Sequence, residues 1–456
     1  MIETITVKGS EKMEKDLTRG NVTGTILKFA GPMILGNLLQ QCYNIADTLI
    51  VGRFLGKDAL AAVGSAYTLM TFLTSILIGL CMGSGAVFSV YYGKREVLQM
   101  KKSMLASFLF IAAVAALLGM LSFGFIHPIL HILQVPESIY GLMYEYVWMI
   151  FWGIGFVFLY NYFAFLLRAM GNSLTPLYFL GAAAVLNIGL DLLFVVGFRM
   201  GAQGAAFATV LSQAASGAGI AVYVWRKEPG LLPGREEFAL DKRTVREVIR
   251  HSFAASIQQS VMNFGILMIQ GLVNSFGTIV MAAFAAAVKI DSFAYMPAQE
   301  FGNAFSLFIS QNHGAGKSKR IRQGTRRAAA LSIVFCVVIS FFIFLCAPGL
   351  MGFFIEKGES AIIETGAVYL RIEGAFYCGI GLLFLLYGFY RGVEKPEMSL
   401  VLTVISLGTR VLLAYLLSPL PQIGVLGIWW AIPIGWFLAD LTGIMCLRKV
   451  GGYSVW

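Results

Sequence analysis

The sequence predicts an all-α membrane protein: twelve transmembrane helices in two pseudo-symmetric six-helix bundles. Three observations predict it. Apolar residues make up 58% of the 456 residues and charged residues 13%, against about 25% charged in an ordinary soluble domain. The apolar residues fall in windows long enough to cross a bilayer, which takes about 20 residues per helix. The second half of the chain also repeats landmarks of the first. This composition excludes an ordinary soluble enzyme, a disordered chain and a secreted disulfide scaffold. Twelve spans with short loops leave no room for a large aqueous nucleotide domain.

Taken in order, residues 1–22 read as a polar cytoplasmic tail. It lacks the apolar core of a cleavable signal, so the first span is expected to direct insertion. Spans follow near 24–52, which carries Pro32, then 58–90, closed by Lys94-Arg95, and 103–126. Next come 139–166, closed by Arg168, 173–198, entered through Gly171 and Pro176, and 202–225, entered through Gly201. Residues 227–247, with Pro229-Gly230 and Pro233-Gly234 among many charges, read as a cytoplasmic linker. The second set lies near 248–273, 279–311, 327–347, 361–390, 397–418 and 424–447. The expected organisation is an N-lobe over 23–226, a C-lobe over 248–449 and a tail over 450–456.

Charge placement sets the orientation. With the N-terminus inside, the inside segments hold 27 of the 34 Lys and Arg, and the outside holds only Arg53, Lys57, Arg199 and Lys357. That bias puts both termini in the cytoplasm and supports an even number of spans. It also explains the net charge of +10 without a nucleic-acid partner. The repeat appears when the chain is shifted by 221 residues. Gly56, Ala61, Ala62, Ala66, Phe72, Ser89 and Gly93 then fall on Gly277, Ala282, Ala283, Ala287, Phe293, Ser310 and Gly314. Gly171…Pro176 also matches Gly392…Pro396, and Gly201 matches Gly424. Six spans per half make the repeats parallel, and two such bundles can rock around a central cavity. This is a transporter architecture.

Charges within spans mark function or structure, since each costs about 2.5–3.5 kcal/mol near a helix centre. In the second half Lys289, Arg371 and Arg410 balance Asp291, Glu300 and Glu373 in number. They either pair to knit helices together or line a substrate cavity, with Gln259 and Asn263 nearby on the seventh span. Asp440, near the cytoplasmic end of the last span and within snorkelling reach of water, reads as structural. The first half differs, because Asp47 and Asp191 have no basic residue in the middle turns of their helices. Asn37, Gln40, Asn44 and Asp47 recur at steps of three, four and three and form one polar stripe. Asn187 and Asp191, four apart, share a face. Two nearby carboxylates do not both ionise easily, so such a pair can take up and release a proton. With Asn and Thr oxygens alongside, Na⁺ can replace the proton. The matching positions in the second half are Met268 and Val411. Ion coupling is therefore expected in the N-lobe alone. Pro32 is expected to kink the first helix as a hinge.

Several motifs together resemble the multidrug and toxic-compound extrusion (MATE) family. They are Gly31-Pro32, Gln40-Gln41, Ala46-Asp47-Thr48, Gly52-Arg53-Phe54-Leu55-Gly56 and Ala59-Leu60-Ala61-Ala62-Val63-Gly64. Further on are Asn161 seven residues before Arg168-Ala169-Met170-Gly171-Asn172, then Asn187…Asp191 and Gln311-Asn312-His313-Gly314-Ala315-Gly316. The resemblance covers residues 24–449. It implies twelve helices in two lobes and cation-coupled export of broad substrates, often cationic and aromatic. It implies that N-lobe acids bind H⁺ or Na⁺ and that the first helix bends at its proline. Carried over by position, the coupling role falls to Asp47, Asn161, Asn187, Asp191 and Thr209. One branch of the family has an acid on the seventh helix. Here Gln258, Gln259 and Asn263 stand there, so coupling of that type is not expected.

Other readings are weaker. Gly316-Lys317-Ser318 lacks the first glycine of a phosphate loop, since Gln311 stands there. His127 and His131 flank Pro128 in an outer loop and make a poor metal pair. The six cysteines fall in apolar stretches without C-x-x-C spacing and read as small buried hydrophobes. Three functions remain. The leading one is an ion-coupled exporter in the plasma membrane (the inner membrane of a Gram-negative cell), working as a monomer among membrane lipids on small organic, mainly cationic substrates. It needs no cofactor beyond H⁺ or Na⁺ and no other metal. The second is a flippase for lipid-linked or polyprenyl substrates, which would favour an arginine-rich cavity. The third is a membrane-embedded lipid enzyme, for which no nucleophile or metal cluster is visible.

Overall fold

Each apolar window folds as helix, because lipid offers backbone N–H and C=O groups no partner other than one another. The structure is a computed structural model that describes residues 16–133, 135–231, 234, 238, 240–355 and 358–447. The first half comprises α1 Val22–Leu55, α2 Lys57–Lys94, α3 Val97–Gly124, the short α4 Ile126–Ile132, α5 Glu137–Phe151, α6 Ile154–Ala169, α7 Leu174–Asp191 and α8 Gly201–Lys227. The second comprises α9 Lys242–Asn274, α10 Thr278–Gly314, α11 Ser318–Phe354, α12 Ser360–Ala375, α13 Tyr377–Gly392, α14 Pro396–Leu417 and α15 Leu426–Leu447. Two expected single spans are bent: α5 meets α6 at 43° and α12 meets α13 at 52°. Among the described residues, nine single helices and these two pairs are apolar and long enough to span. The more polar α9 takes the place of α1 in the second half and completes twelve.

The repeat is visible residue by residue. Helices α2 and α10 start at Lys57 and Thr278, and α3 and α11 at Val97 and Ser318, both 221 apart. Helices α5 and α12 start at Glu137 and Ser360, and α6 and α13 at Ile154 and Tyr377, both 223 apart. Left-handed turn residues pair the same way: Gly56 with Gly277, Arg95 with Gly316, Gly171 with Glu394 and Gly201 with Gly424. This corrects the match of Gly171 to Gly392. The turn residue lies three after an arginine in both halves, Arg168 and Arg391, so its mate is Glu394.

The chain forms two compact units, one built on Leu35–Ser256 and one on Leu17–Ile34 with residues 257–447. Against lobes expected at 23–226 and 248–449, the leading parts of the two first helices are exchanged between the units. Apolar spacing gives each exchanged segment a face to bury. Val22, Ile26, Phe29, Ala30 and Met33 line one helical face and are buried in the second unit's core. Val248 and Ala255, seven apart, are buried in the first unit's core. Close approach by glycine seats this part of α9 on α2. A Cβ added at Gly83 would lie 2.3 Å from the His251 carbonyl oxygen, and one at Gly79 2.4 Å from the Ser256 Cα. Small residues let helix backbones meet in this way.

Asp241 caps α9, accepting the Thr244 N–H at 2.7 Å and the Thr244 hydroxyl at 2.9 Å. The segment before α1 is clamped within the second unit. Leu17 N–H donates to Gln311 Oε1 at 3.0 Å, and Asn312 Nδ2 donates to the Leu17 carbonyl at 3.2 Å. Arg320 donates to the carbonyls of Leu17, Arg19 and Gly20. Lys317 Nζ donates to the Thr18 carbonyl at 2.7 Å, so the lysine of the phosphate-loop lookalike is engaged by the chain itself. Residues 1–15 of the expected tail, Lys357, parts of the linker and the tail at 450–456 lie outside the described residues. All six cysteines are free thiols, and only Cys81 and Cys336 are fully buried, while Cys42 is exposed. The apolar windows did not show which helical face each cysteine would take.

Candidate functional site

In the first unit, α1 and α7 run side by side. A Cβ on Gly36 would lie 3.5 Å from Leu180. Eleven residues further along both helices, Asp47 meets Asp191 within hydrogen-bonding range. Equal steps in the same direction make the helices parallel at this point, and that register brings the two acids together. Helix α7 then changes character, since Leu192–Gly197 forms a π-helical turn immediately after Asp191. Such turns are rare and recur at functional sites.

Asp191 is fully buried. No donor reaches either of its carboxyl oxygens, nor Oδ1 of Asp47. Carboxyl faces carboxyl, a pairing that becomes a hydrogen bond only when one of the two carries a proton. No Lys or Arg is among their electrostatic neighbours in the described residues. Asn187 is buried one turn before Asp191, and its Nδ2 donates to Thr209 Oγ1 on α8 at 3.4 Å. Its Oδ1 and that of Asn37 are buried without a partner.

The other sequence-selected residues scatter. Asn161 is half-buried on α6 and bonds the Val157 carbonyl of its own helix at 2.8 Å. Asn44 is half-buried and Gln40 exposed along α1. Pro32 lies in the part of α1 that belongs to the second unit, and the helix continues through it. Two residues that sequence reading missed border the acids: Tyr43 on α1, close to Gln40 and Asp47, and the buried Tyr146 on α5, close to both acids. A signal for Tyr146 exists in the repeat, where its mate at a spacing of 223 is Tyr369.

The second unit holds a different charged cluster. Asp291 on α10 accepts from Tyr377 Oη on α13 at 2.6 Å. Glu373 on α12 stands beside Asp291, Arg410 and Tyr369. Asp291, Tyr295, Tyr369, Glu373, Arg410 and Trp436 help line a cavity of about 80 Å³, large enough for a few waters and well below a drug-sized pocket. Of the two readings of these charges, full three-against-three pairing is not formed among the described residues. Lys289 is exposed. Arg371 is also exposed, 5.7 Å over the Phe344 ring, with Nε 3.4 Å from the Phe344 carbonyl. Glu300 bonds Asn303 at 3.2 Å and has the buried Arg391 as its electrostatic partner. Sequence boundaries had placed Arg391 in a loop. Gln259 and Asn263 are half-buried on α9 and do not line the cavity. Asp440 is buried, not snorkelling: a Cβ on Gly379 would lie 3.7 Å from its Oδ2. Among the described residues no group of three or more His, Cys, Asp or Glu is placed to hold a metal ion.

The duplicated bundle with one acid pair matches a known family model, MatE, over residues 32–193 and 253–416. The chain belongs to the MatE family. Among its MatE relatives, "Probable multidrug resistance protein YpnP" of Bacillus subtilis (strain 168) is 33% identical over 396 residues, covering 86% of this chain and 87% of that one. "Probable multidrug resistance protein NorM" of Thermotoga maritima (strain ATCC 43589 / DSM 3109 / JCM 10099 / NBRC 100826 / MSB8) is 28% identical over 420 residues, covering 89% and 87%. The MatE fold is shared with a solved structure described as "Outward-facing conformation of a multidrug resistance MATE family transporter of the MOP superfamily". Its TM-score is 0.90, its identity 22%, and the match covers 96% of this chain and 98% of that one. This MatE chain is thus a multi-pass membrane protein.

Proposed function

We propose that the chain is a cation-coupled antiporter that exports amphipathic organic cations from the cytoplasm by alternating access, with both termini inside. The relatives' names, multidrug resistance proteins, support the export of small organic compounds. The observation that carries the coupling is the pair Asp47 and Asp191, carboxyl to carboxyl in an apolar bundle with no donor on Asp191. Such a pair suits a proton. Held between the carboxyls, the proton removes their mutual repulsion. When a cationic substrate takes over that negative charge, the proton leaves, and the exchange is an antiport step. Asn187 and Thr209 orient the Asp191 end of the site, and Tyr146 walls it. Asn161 serves the same bundle from α6.

Efflux of ethidium from proteoliposomes tests this reading, with a proton gradient and a Na⁺ gradient imposed separately. Wild type is expected to transport under the proton gradient, and Asp191→Asn to lose coupled transport by tenfold or more, about the effect of one essential proton carrier. Undiminished transport by Asp191→Asn would refute the coupling site. Transport driven by Na⁺ alone would keep the site and replace the proton with Na⁺.

A further inference from the structure

The opening turns of α11 carry a dense run of positive charge. Lys317, Lys319, Arg320, Arg322, Arg326 and Arg327 fall within eleven residues. Lys317 and Arg320 hold the backbone of Leu17, Thr18, Arg19 and Gly20. The other four are exposed, and with Gln323 and Ala330 they line one open hollow. Positions 319, 322, 323, 326, 327 and 330 fall on one helical face by their spacing. No acidic residue interrupts it.

The same face continues down α11 as exposed apolar surface: Val334, Val337, Val338, Phe341 and Leu345. A face that is exposed and apolar for several turns meets acyl chains. Where it turns basic it meets headgroups, since α11 has 37 residues and only about 20 are needed for the hydrocarbon core. The repeat marks two of these charges as additions, since Arg322 falls on a basic mate, Lys101, and Arg326 and Arg327 do not. The mates of Arg326 and Arg327, 221 residues earlier, are Leu105 and Ala106, and both are buried. A similar basic turn at the start of α9 includes Asp241 in its hollow. Hydrogen bonds from Thr244, its backbone N–H above all, hold the Asp241 carboxyl below the usual carboxylate range, so that hollow keeps a negative charge.

We infer that Arg322, Arg326 and Arg327 form a headgroup site for an anionic phospholipid, with its acyl chains along the apolar face of α11. Guanidinium groups one turn apart can grip a phosphodiester through paired N–H donors, which a single topology-setting charge does not require. The continuous apolar face selects a lipid over a soluble phosphate.

Native mass spectrometry of the full-length protein in detergent tests this, with phosphatidylglycerol, phosphatidylcholine and inorganic phosphate as probes. Wild type is expected to retain phosphatidylglycerol at least tenfold over phosphatidylcholine. R322Q/R327Q is expected to lose phosphatidylglycerol binding about tenfold or more, from roughly fivefold per charge near a membrane surface. R226Q/K227Q, which removes two exposed charges at the end of α8, should stay within about twofold of wild type. If R322Q/R327Q does not keep a wild-type melting transition, R327Q alone is read for a severalfold loss. Equal binding by wild type and the arginine variants would overturn the proposal. So would an equal loss in R226Q/K227Q, or displacement of the lipid by inorganic phosphate.

Discussion

At the scale of single residues, the two halves use their carboxyls differently. Asp291 has a donor, the Tyr377 hydroxyl at 2.6 Å. Tyr377→Phe should therefore lower thermal stability in detergent by about 1–3 kcal/mol, the cost of leaving a buried acceptor unsatisfied. It should leave the ion that drives efflux unchanged. Asp191 has no donor to lose, so Asp191→Asn should melt close to wild type while coupling fails. Asp241 is a third case, a half-buried cap. Asp241→Ala should weaken the first turn of α9 by about 0.5–1 kcal/mol, read as faster amide exchange at Thr244 and Val245. The sign of its pH dependence follows from the lowered pKa. Its contribution is complete above the ordinary carboxylate value and disappears as pH falls through the lower folded-state value. Asp47 and Asp191 were legible in the sequence because an unpaired acid in an apolar helix has few structural uses. Tyr146 was not, since a tyrosine in an apolar span looks like packing. The faces that Lys289 and Arg371 take were not legible, because a count of charges does not say which face of a helix each one takes.

At the scale of elements, the apolar windows located the helices but not their bends or partners. The break between α5 and α6 falls at Trp152-Gly153 and that between α12 and α13 at Phe376, with no proline at either to announce it. Partner choice is encoded in small residues. On α2, Gly83 meets the backbone of α9, whereas a Cβ at Gly64 meets nothing within 4 Å. Gly83→Val should therefore abolish a cooperative melting transition. Gly64→Ala should be tolerated and can gain up to about 1 kcal/mol from helix propensity. A thermal melt of the two purified variants separates the cases, and equal melting would contradict the contact. The Gln311-Asn312 motif, read in the sequence only as part of a resemblance, turns out to clamp Leu17. No local pattern links residues nearly three hundred positions apart.

At the scale of the whole molecule, duplication supplied two bundles with matched helices, matched bends and matched left-handed turns. Their chemistry then diverged. Among the described residues the first unit has an acid pair without a nearby cation, and the second has acids beside Arg410. The repeat was legible because its glycines are dictated by backbone geometry that survives divergence, as at Gly56 and Gly277 with φ of 85° and 94°. The exchange of leading segments between units was not, because a helix sequence does not state which bundle its apolar face will join. Divergence predicts that Glu373→Gln alters stability or dye affinity but leaves efflux dependent on the same gradient. Loss of gradient dependence in that variant would place coupling in both units.

The most direct measurement follows protons. Ethidium is added to purified wild-type protein in weakly buffered detergent solution near neutral pH, and the released protons are read with an indicator dye. Wild type should release protons as the dye binds, while Asp47→Asn and Asp191→Asn still bind dye and release none. Binding without proton release in wild type, or equal release by the Asp191→Asn protein, would contradict coupling at the Asp47 and Asp191 pair.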